Sequence, residues 1–341
     1  MIVLGIETSC DESAVALIRY NANGSHELLG ELISSQNNIH EQYGGVVPEF
    51  ASREHLRNLP LLYDSLLSKC NLSLNEIDLI GVTQGPGLKG CLLIGLSFAQ
   101  GLSQASGKPI VGVNHIEGHL LAPRLDNPDL KFPYLCLIVS GGHTEILEVR
   151  GVGDYELIAR TQDDAAGEAF DKSANLLSLP YPGGARLAAL ADSVPTSRFK
   201  LPKVMREQAG FSFSGLKTAF LLLTKKHEQE LLAPDIRAEL AHVVQGAIVD
   251  TLLFKTKEAL KERGLKQVAV SGGVAANKKL REEISKIRGV QGFFPSGMHS
   301  TDNAAMIAYV AGERYRAGII SNDLSAQARW PVEMCSVKRA G

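Results

Sequence analysis

Val3-Leu4-Gly5-Ile6-Glu7-Thr8-Ser9 and Leu135-Cys136-Leu137-Ile138-Val139-Ser140-Gly141-Gly142-His143-Thr144 are the two stretches on which the fold turns. Each is a short aliphatic run that ends in a small-residue turn and is followed by a returning strand. A short apolar run closed by a turn reads as a strand. Two such openings in one chain imply an internal duplication.

The pattern repeats outward from both openings. After the first, strands are expected near residues 2–8, 14–19 and 27–34, then a helix at about 48–69, a strand at 79–83 and a helix near 88–105. After the second, strands near 134–140, 145–150 and 155–159 precede helices, a strand at 267–271, a helix near 275–287, a strand at 290–294 and a helix at about 302–317. Prolines and glycines between Leu179 and Phe213 interrupt the second series. The expected division is therefore residues 1–115 as a first lobe, 116–320 as a second lobe with a helical insertion at about 179–265, and a tail at 321–341. Strands mixed with helices on an apolar sheet predict two α/β lobes facing a cleft.

Composition narrows the class of protein. A chain of 341 residues exceeds one ordinary core, since domains run to roughly 100–200 residues. With 45% hydrophobic and 21% charged residues it reads as globular. The five cysteines form no close pair, which fits neither a disulfide framework nor a zinc ribbon and points to a reducing compartment. The start reads as a strand rather than a signal peptide, and the most apolar window, Cys91 to Leu102, is too short to span a bilayer, so a cytoplasmic location is expected. A net charge of -2 excludes a strongly basic footprint over the whole molecule. Local basic patches remain open at Lys200, Lys203 and Arg206, at Lys217, Lys225 and Lys226, and at Lys278, Lys279 and Arg281.

Chemistry is concentrated in a few constellations. His115-Ile116-Glu117-Gly118-His119 puts two imidazoles one helical turn apart on a shared face, a spacing that suits one metal ion as well as ordinary packing. The zincin motif HExxH would place glutamate directly after the first histidine; here Glu117 is one position later and off the shared face. Asp302 is the best third-ligand candidate, although its place at the opening of the last helix by itself favours an N-cap over ligation. Two histidines and a carboxylate with open positions would match an iron(II) facial triad or a catalytic zinc site. Glycine-bearing turns at Gly85–Gly87, Ser140–Thr144, Pro182–Gly184 and Ser271–Asn277 can bring backbone N–H groups close to an anion, and the last runs from strand into helix. Acidic residues gather in two turns: Glu7 with Asp11 and Glu12, and Asp163-Asp164 with Glu168 and Asp171. They are candidates for metal binding or proton transfer, or are solvated turn residues.

Taken together, these residues resemble the catalytic subunit of the tRNA threonylcarbamoyladenosine synthases, the TsaD-like proteins formerly labelled O-sialoglycoprotein endopeptidases. The carriers are Gly5–Glu12, Tyr43–Glu49, His115–His119, Val139–Thr144, Asp163–Lys172, Phe211–Thr218, Ser271–Asn277 and Thr301–Ala305, spread nearly end to end. The resemblance implies a duplicated actin/Hsp70/sugar-kinase-like fold with two lobes around a nucleotide cleft. It also implies an acyltransferase that moves a threonylcarbamoyl group from threonylcarbamoyl-AMP to the N6 amine of adenosine 37, in tRNAs reading codons that begin with adenine. AMP is released. By the same similarity His115, His119 and Asp302 hold one divalent metal ion, Fe(2+) or else Zn(2+). Ile138, Val139, Ser140, Gly141, Gly142, Asp171, Gly184 and Asn277 contact the adenylate. The implied partners are tRNA, a paralogous non-catalytic subunit of the same fold and a small ATPase, with no membrane. Asp11 or Glu12 is a candidate to take the proton from the attacking amine. The chain departs from the family pattern at Ala185, where proline commonly follows the glycine pair. Rival readings are a metallopeptidase, which lacks its glutamate, a small-molecule kinase or ATPase using Glu7 and Asp11 for magnesium, and a non-catalytic scaffold.

Overall fold

The computed structural model describes residues 1–202, 210–231, 233–320 and 323–335. Their contacts divide into two compact units: the described parts of Met1–Phe132, Val149–Tyr155 and Pro295–Gly341, and those of Pro133–Glu148 and Glu156–Phe294.

The first unit opens with an antiparallel meander of β1 (Ile2–Glu7), β2 (Glu12–Tyr20) and β3 (His26–Ser35). A short α1 (Asn37–His40) and the long α2 (Pro48–Cys70) lead to β4 (Leu79–Gly85), α3 (Lys89–Ser106) and β5 (Ile110–Asn114). β4 and β5 add in parallel beside β1, giving the order β3-β2-β1-β4-β5. Next come α4 (His115–Leu121) and α5 (Pro123–Asp126), separated only by Ala122.

The second half repeats the plan with β6 (Tyr134–Val139), β7 (Thr144–Gly151) and β8 (Asp154–Arg160), the β7–β8 tip at Val149–Tyr155 counting with the first unit, then α6 (Ala166–Leu176), α7 (Gly184–Ala191), α8 (Ser214–Lys226) and α9 (Pro234–Arg263). It ends with β9 (Gln267–Ser271), α10 (Lys278–Ser285) and β10 (Gln291–Phe293). Its sheet runs β10-β9-β6-β7-β8. Numbered within their own half, both sheets have the same strand order, and the duplication inferred from the two openings is present in the topology. α7 to α9 fill the stretch expected to be an insertion and pack their apolar faces, including Phe220, Leu240, Val244 and Ile248, into the second unit's core.

The last helix, α11 (Ala304–Arg316), departs from the expected division. The sequence order puts it with the second lobe, but it packs on β1, β2 and β4 in the first unit. Paired glycines explain why. Gly5 and Gly81 face each other across β1 and β4, and a Cβ on Gly5 would lie 2.2 Å from the Ala304 carbonyl oxygen, one on Gly81 2.4 Å from the Ala311 Cβ. Without those side chains an alanine-rich helix can lie directly against the sheet. The boundary between 115 and 116 likewise falls inside the first unit.

The segment expected as a tail is fastened to the same unit where it is described. The Gln84 amide donates to the Asp323 and Ser325 carbonyls, and the Asn114 amide to that of Trp330. Of the basic candidates, Lys203 and Arg206 lie outside the described residues. No helix among the described residues is long and apolar enough to cross a membrane.

Candidate metal centre

β5 ends in Asn114, whose side-chain oxygen accepts from the backbone N–H groups of Ile116 and Glu117 at 2.9 and 3.2 Å and so starts α4 immediately after the strand. That abrupt start fixes His115 at the first helical position and His119 one turn on. Their rings lie nearly perpendicular, with centroids 4.7 Å apart.

Asp302 completes the group from the other end of the chain. Its Oδ1 lies 3.0 Å from His119 Nε2 and 3.5 Å from His115 Nε2, and the three candidate ligand atoms all fall within 4.8 Å of one another. Atoms bound about 2.0–2.2 Å from one ion end up about 3–3.5 Å apart, which the two distances from Asp302 match. The N-cap of α11 is not Asp302 but the next residue. The Asn303 side chain accepts from Met306 N at 2.8 Å, and Glu31 on β3 accepts from Ala304 N and Ala305 N at 2.9 and 2.8 Å. With the helix end satisfied by its neighbours, the Asp302 carboxylate is left to the histidines, and its side chain is 27% exposed.

Glu7, grouped in the sequence with Asp11 and Glu12, orients His115. Its Oε2 sits 3.0 Å from His115 Nδ1 and accepts from the Thr83 hydroxyl at 2.6 Å, while its Oε1 accepts from Ser9 N. A carboxylate accepts only, so Nδ1 keeps its proton, and Nε2, which faces Asp302, is the nitrogen that a cation would free of its proton. Carboxylate, imidazole and open nitrogen in this order are the usual supporting arrangement of a metal-bound histidine. Burial by itself would lower the pKa of His115, but the carboxylates of Asp302 and Glu7 outweigh it and hold it well above the ordinary value. Burial would likewise raise Asp302, and His115 and His119 instead hold it well below. Two carboxylates around two imidazoles form a donor set with surplus negative charge, as a divalent cation requires.

Asp11 and Glu12 stand at the turn into β2, beside this cluster. Burial, followed by the charges of Asp302, Asp11 and Glu7, pushes Glu12 up to about 9. His55 on α2 holds the turn from behind: Nε2 is 2.9 Å from the Cys10 carbonyl and Nδ1 2.7 Å from the Ser13 hydroxyl. Nothing in its isolated position along α2 signals that role.

Glu117 has a different task. It is 0% exposed, accepts from the Tyr155 hydroxyl at 2.7 Å and pairs with Arg314 of α11 at 2.5 Å. It is therefore removed from the ligand face, as the spacing implied, and ties the histidine helix to the helix that follows Asp302.

In the second unit, the turn after β6 leaves Gly141 and Gly142 with open space around them, whereas Ile138 and Val139 are fully buried in the strand. Gly272 has φ +91°, and a Cβ there would lie 2.4 Å from the Val139 carbonyl oxygen, so the two glycine turns of β6 and β9 lie side by side. Asp171 Oδ1 accepts from Gly183 N and Gly184 N at 2.9 and 2.8 Å, which braces the turn into α7. Ala185 is in the first turn of α7, where proline would cost no intrahelical bond, so the departure from proline is mild. Asn277 caps α10 through Leu280 N at 2.9 Å, and its amide donates to Gln245 at 2.7 Å. The second acidic turn is committed internally. Asp163 accepts from Ser212, Phe213 and Ser214, and Asp164 pairs with Lys172 and Lys217 at 3.0 and 2.8 Å. It fastens α8, and Lys217 is spent on it rather than presented as part of a basic patch.

Comparison with known proteins agrees with this picture. A family model described as tRNA N6-adenosine threonylcarbamoyltransferase matches residues 27–309. Proteins of that name from Variovorax paradoxus and Nitrosospira multiformis are each 46% identical to the chain, the first covering 97% of it and 96% of its own length, the second 99% of both. Among solved structures, T. kodakarensis HypF superposes with TM-score 0.63 at 16% identity over 96% of this chain and 49% of that one. The (R)-2-hydroxyglutaryl-CoA dehydratase component A of Acidaminococcus fermentans does so with TM-score 0.53 at 13% identity over 93% and 99%. These two bear on the fold alone, which is the duplicated actin/Hsp70/sugar-kinase-like one.

Proposed function

Because the chain belongs to the tRNA N6-adenosine threonylcarbamoyltransferase family, we propose that it transfers a threonylcarbamoyl group from threonylcarbamoyl-AMP to N6 of adenosine 37 in tRNAs reading codons that begin with adenine. The observation that carries this reading is the 46% identity to proteins of that name over almost the whole chain. The amine nitrogen attacks the carbamoyl carbon, the C–O bond to the phosphate breaks, and AMP leaves with the electron pair. The amine proton passes to a base. Since the donor is a mixed anhydride, the protein's main contribution is positioning.

The residues divide into two groups by unit. Gly141, Gly142 and Gly184 offer backbone N–H groups for the adenylate, with Ile138, Val139, Ser140, Asp171 and Asn277 shaping that site. Asn277 and Asp171 contribute mainly by bracing it, given the internal bonds they make. His115, His119 and Asp302 fit one divalent ion, Fe(2+) by preference for a two-histidine, one-carboxylate set and Zn(2+) as the alternative. Such an ion supplies a Lewis acid for a carbonyl-type oxygen. Asp11 or Glu12 takes the proton; burial and the neighbouring carboxylates push Glu12 up to about 9.

The partners proposed are tRNA, a paralogous non-catalytic subunit of the same fold and a small ATPase, in the cytoplasm. The peptidase reading is disfavoured because Glu117 is committed to Arg314, and the kinase reading because Glu7 is committed to His115, Ser9 and Thr83. Mass analysis of tRNA nucleosides after depletion of this protein tests the proposal. Loss of threonylcarbamoyladenosine, restored by the wild type and not by His115→Ala, is the expected result; an unchanged level in a cell with no second enzyme of the family overturns it.

A further inference from the structure

The loop that delivers Asp302 is held by a pair that neither the motifs nor the proposed reaction uses. His299 is buried, and its Nδ1 lies 3.0 and 2.9 Å from the two carboxylate oxygens of Asp126. The same carboxylate accepts from Ser296 N at 2.7 Å, and the Ser296 hydroxyl is 3.2 Å from His299 Nδ1. His299 N and the Ser300 hydroxyl both donate to the Ser296 carbonyl, at 3.0 and 3.1 Å, which folds residues 296–300 into a closed turn. The Asn303 amide then reaches back to the Thr301 carbonyl at 2.7 Å while its oxygen caps α11. Asp302 is thus suspended between a turn and a helix end, each separately fixed.

Asp126 closes α5, which follows α4 after the single residue Ala122. The carboxylate that grips the Asp302 loop therefore belongs to the same helical segment as His115 and His119. A clamp between the two halves of a ligand set holds it assembled before the ion arrives, and outer partners of this kind alter metal affinity about 10–100-fold. His299 Nε2 is buried without a hydrogen-bond partner among the described residues. A buried apolar residue would avoid that cost, so the Asp126 contact is what this position retains an imidazole for.

Resting on the metal-site reading above, we propose that His299 and Asp126 are positioning residues that set the affinity of the His115, His119 and Asp302 site for a divalent ion. The test is competition of the purified full chain with a chromophoric chelator for Co(2+) and Zn(2+), together with the visible Co(2+) spectrum. His299→Phe and Asp126→Ala should each weaken binding about 10-fold or more and alter the Co(2+) spectrum. His299→Asn, which keeps an N–H for Asp126, should stay within a few-fold of wild type. Thermal midpoints of the metal-free proteins separate this from plain destabilisation: if His299→Phe and Asp126→Ala lower the midpoint but bind both ions like the wild type, the clamp is only structural and the proposal falls. If wild type and His115→Ala bind the ions equally weakly, the metal reading itself fails and takes the clamp with it.

Discussion

The two ring nitrogens of His115 face different partners, and Glu7 decides which of them is free. Glu7→Gln substitutes an amide whose nitrogen can donate to Nδ1, allowing the other tautomer and turning the Nε2 lone pair into an N–H. Divalent-ion affinity should fall about 10–100-fold, read by chelator competition, while the far-UV circular dichroism stays unchanged. Affinity equal to wild type would mean that Ser9, whose hydroxyl is 3.2 Å from the same nitrogen, fixes the tautomer alone. Glu12 provides a second test at this scale. Its pKa of about 9 in the folded state lies above the ordinary 4.5, so between these values the native protein keeps a proton that the unfolded chain has released. Stability from this group is complete below about 4.5 and is lost as pH rises toward 9. In chelator, the urea midpoint of wild type should decline over that window, and Glu12→Gln should flatten the decline. A parallel decline in both proteins would assign it to other groups.

Between elements, the ligand set depends on how α4 and α11 meet each other and the sheet. Glu117 and Arg314 form a buried pair between the two helices. Removing one member leaves the other charged and buried, so Glu117→Ala should cost about 3–5 kcal/mol in urea unfolding, and Glu117→Ala with Arg314→Leu should recover part of it. No recovery would show that the lost volume, not the stranded guanidinium, carries the cost. Gly5→Ala acts on the other contact: its Cβ would meet backbone of α11, which cannot yield as a side-chain tip does. It should destabilise the protein and weaken metal binding together, because Asp302 lies two residues before that helix. At this scale the sequence was legible where periodicity and turns agree, as in β1 to β4, α2 and β9. It was less so where neighbouring residues have the same chemistry: Asp302 and Asn303 are both good caps, and only the structure shows Asn303 taking that role. β5 is not among the expected strands even though Gly107 and Pro109 close the preceding helix, because a run of five residues carries little periodicity of its own. The Asp163-Asp164 turn invites a functional reading because Ser212, Ser214, Lys172 and Lys217, which consume it, are not marked as neighbours by spacing.

For the whole chain, the duplication was legible because it rests on two local openings that the strand order of both sheets repeats. Which unit α11 joins was not, since its contacts with Gly5 and Gly81 span most of the sequence and leave no periodic trace. That return has a measurable consequence. All three proposed metal ligands, Glu7, and the His299–Asp126 pair belong to the first unit, whereas the glycine turns proposed for the adenylate belong to the second. Ligand binding stabilises the native residues it touches and slows their local opening. Hydrogen exchange should therefore distinguish the two sites in one protein. Chelation should raise exchange around β1, α4 and residues 296–306 and leave residues 138–142, 183–184 and 272–277 unchanged. AMP added as a probe should protect the latter set even with the metal removed. If chelation deprotects the glycine turns as strongly as α4, the assignment of metal and adenylate to separate units is wrong. If AMP protects neither set, the glycine turns are structural and the adenylate must be held elsewhere.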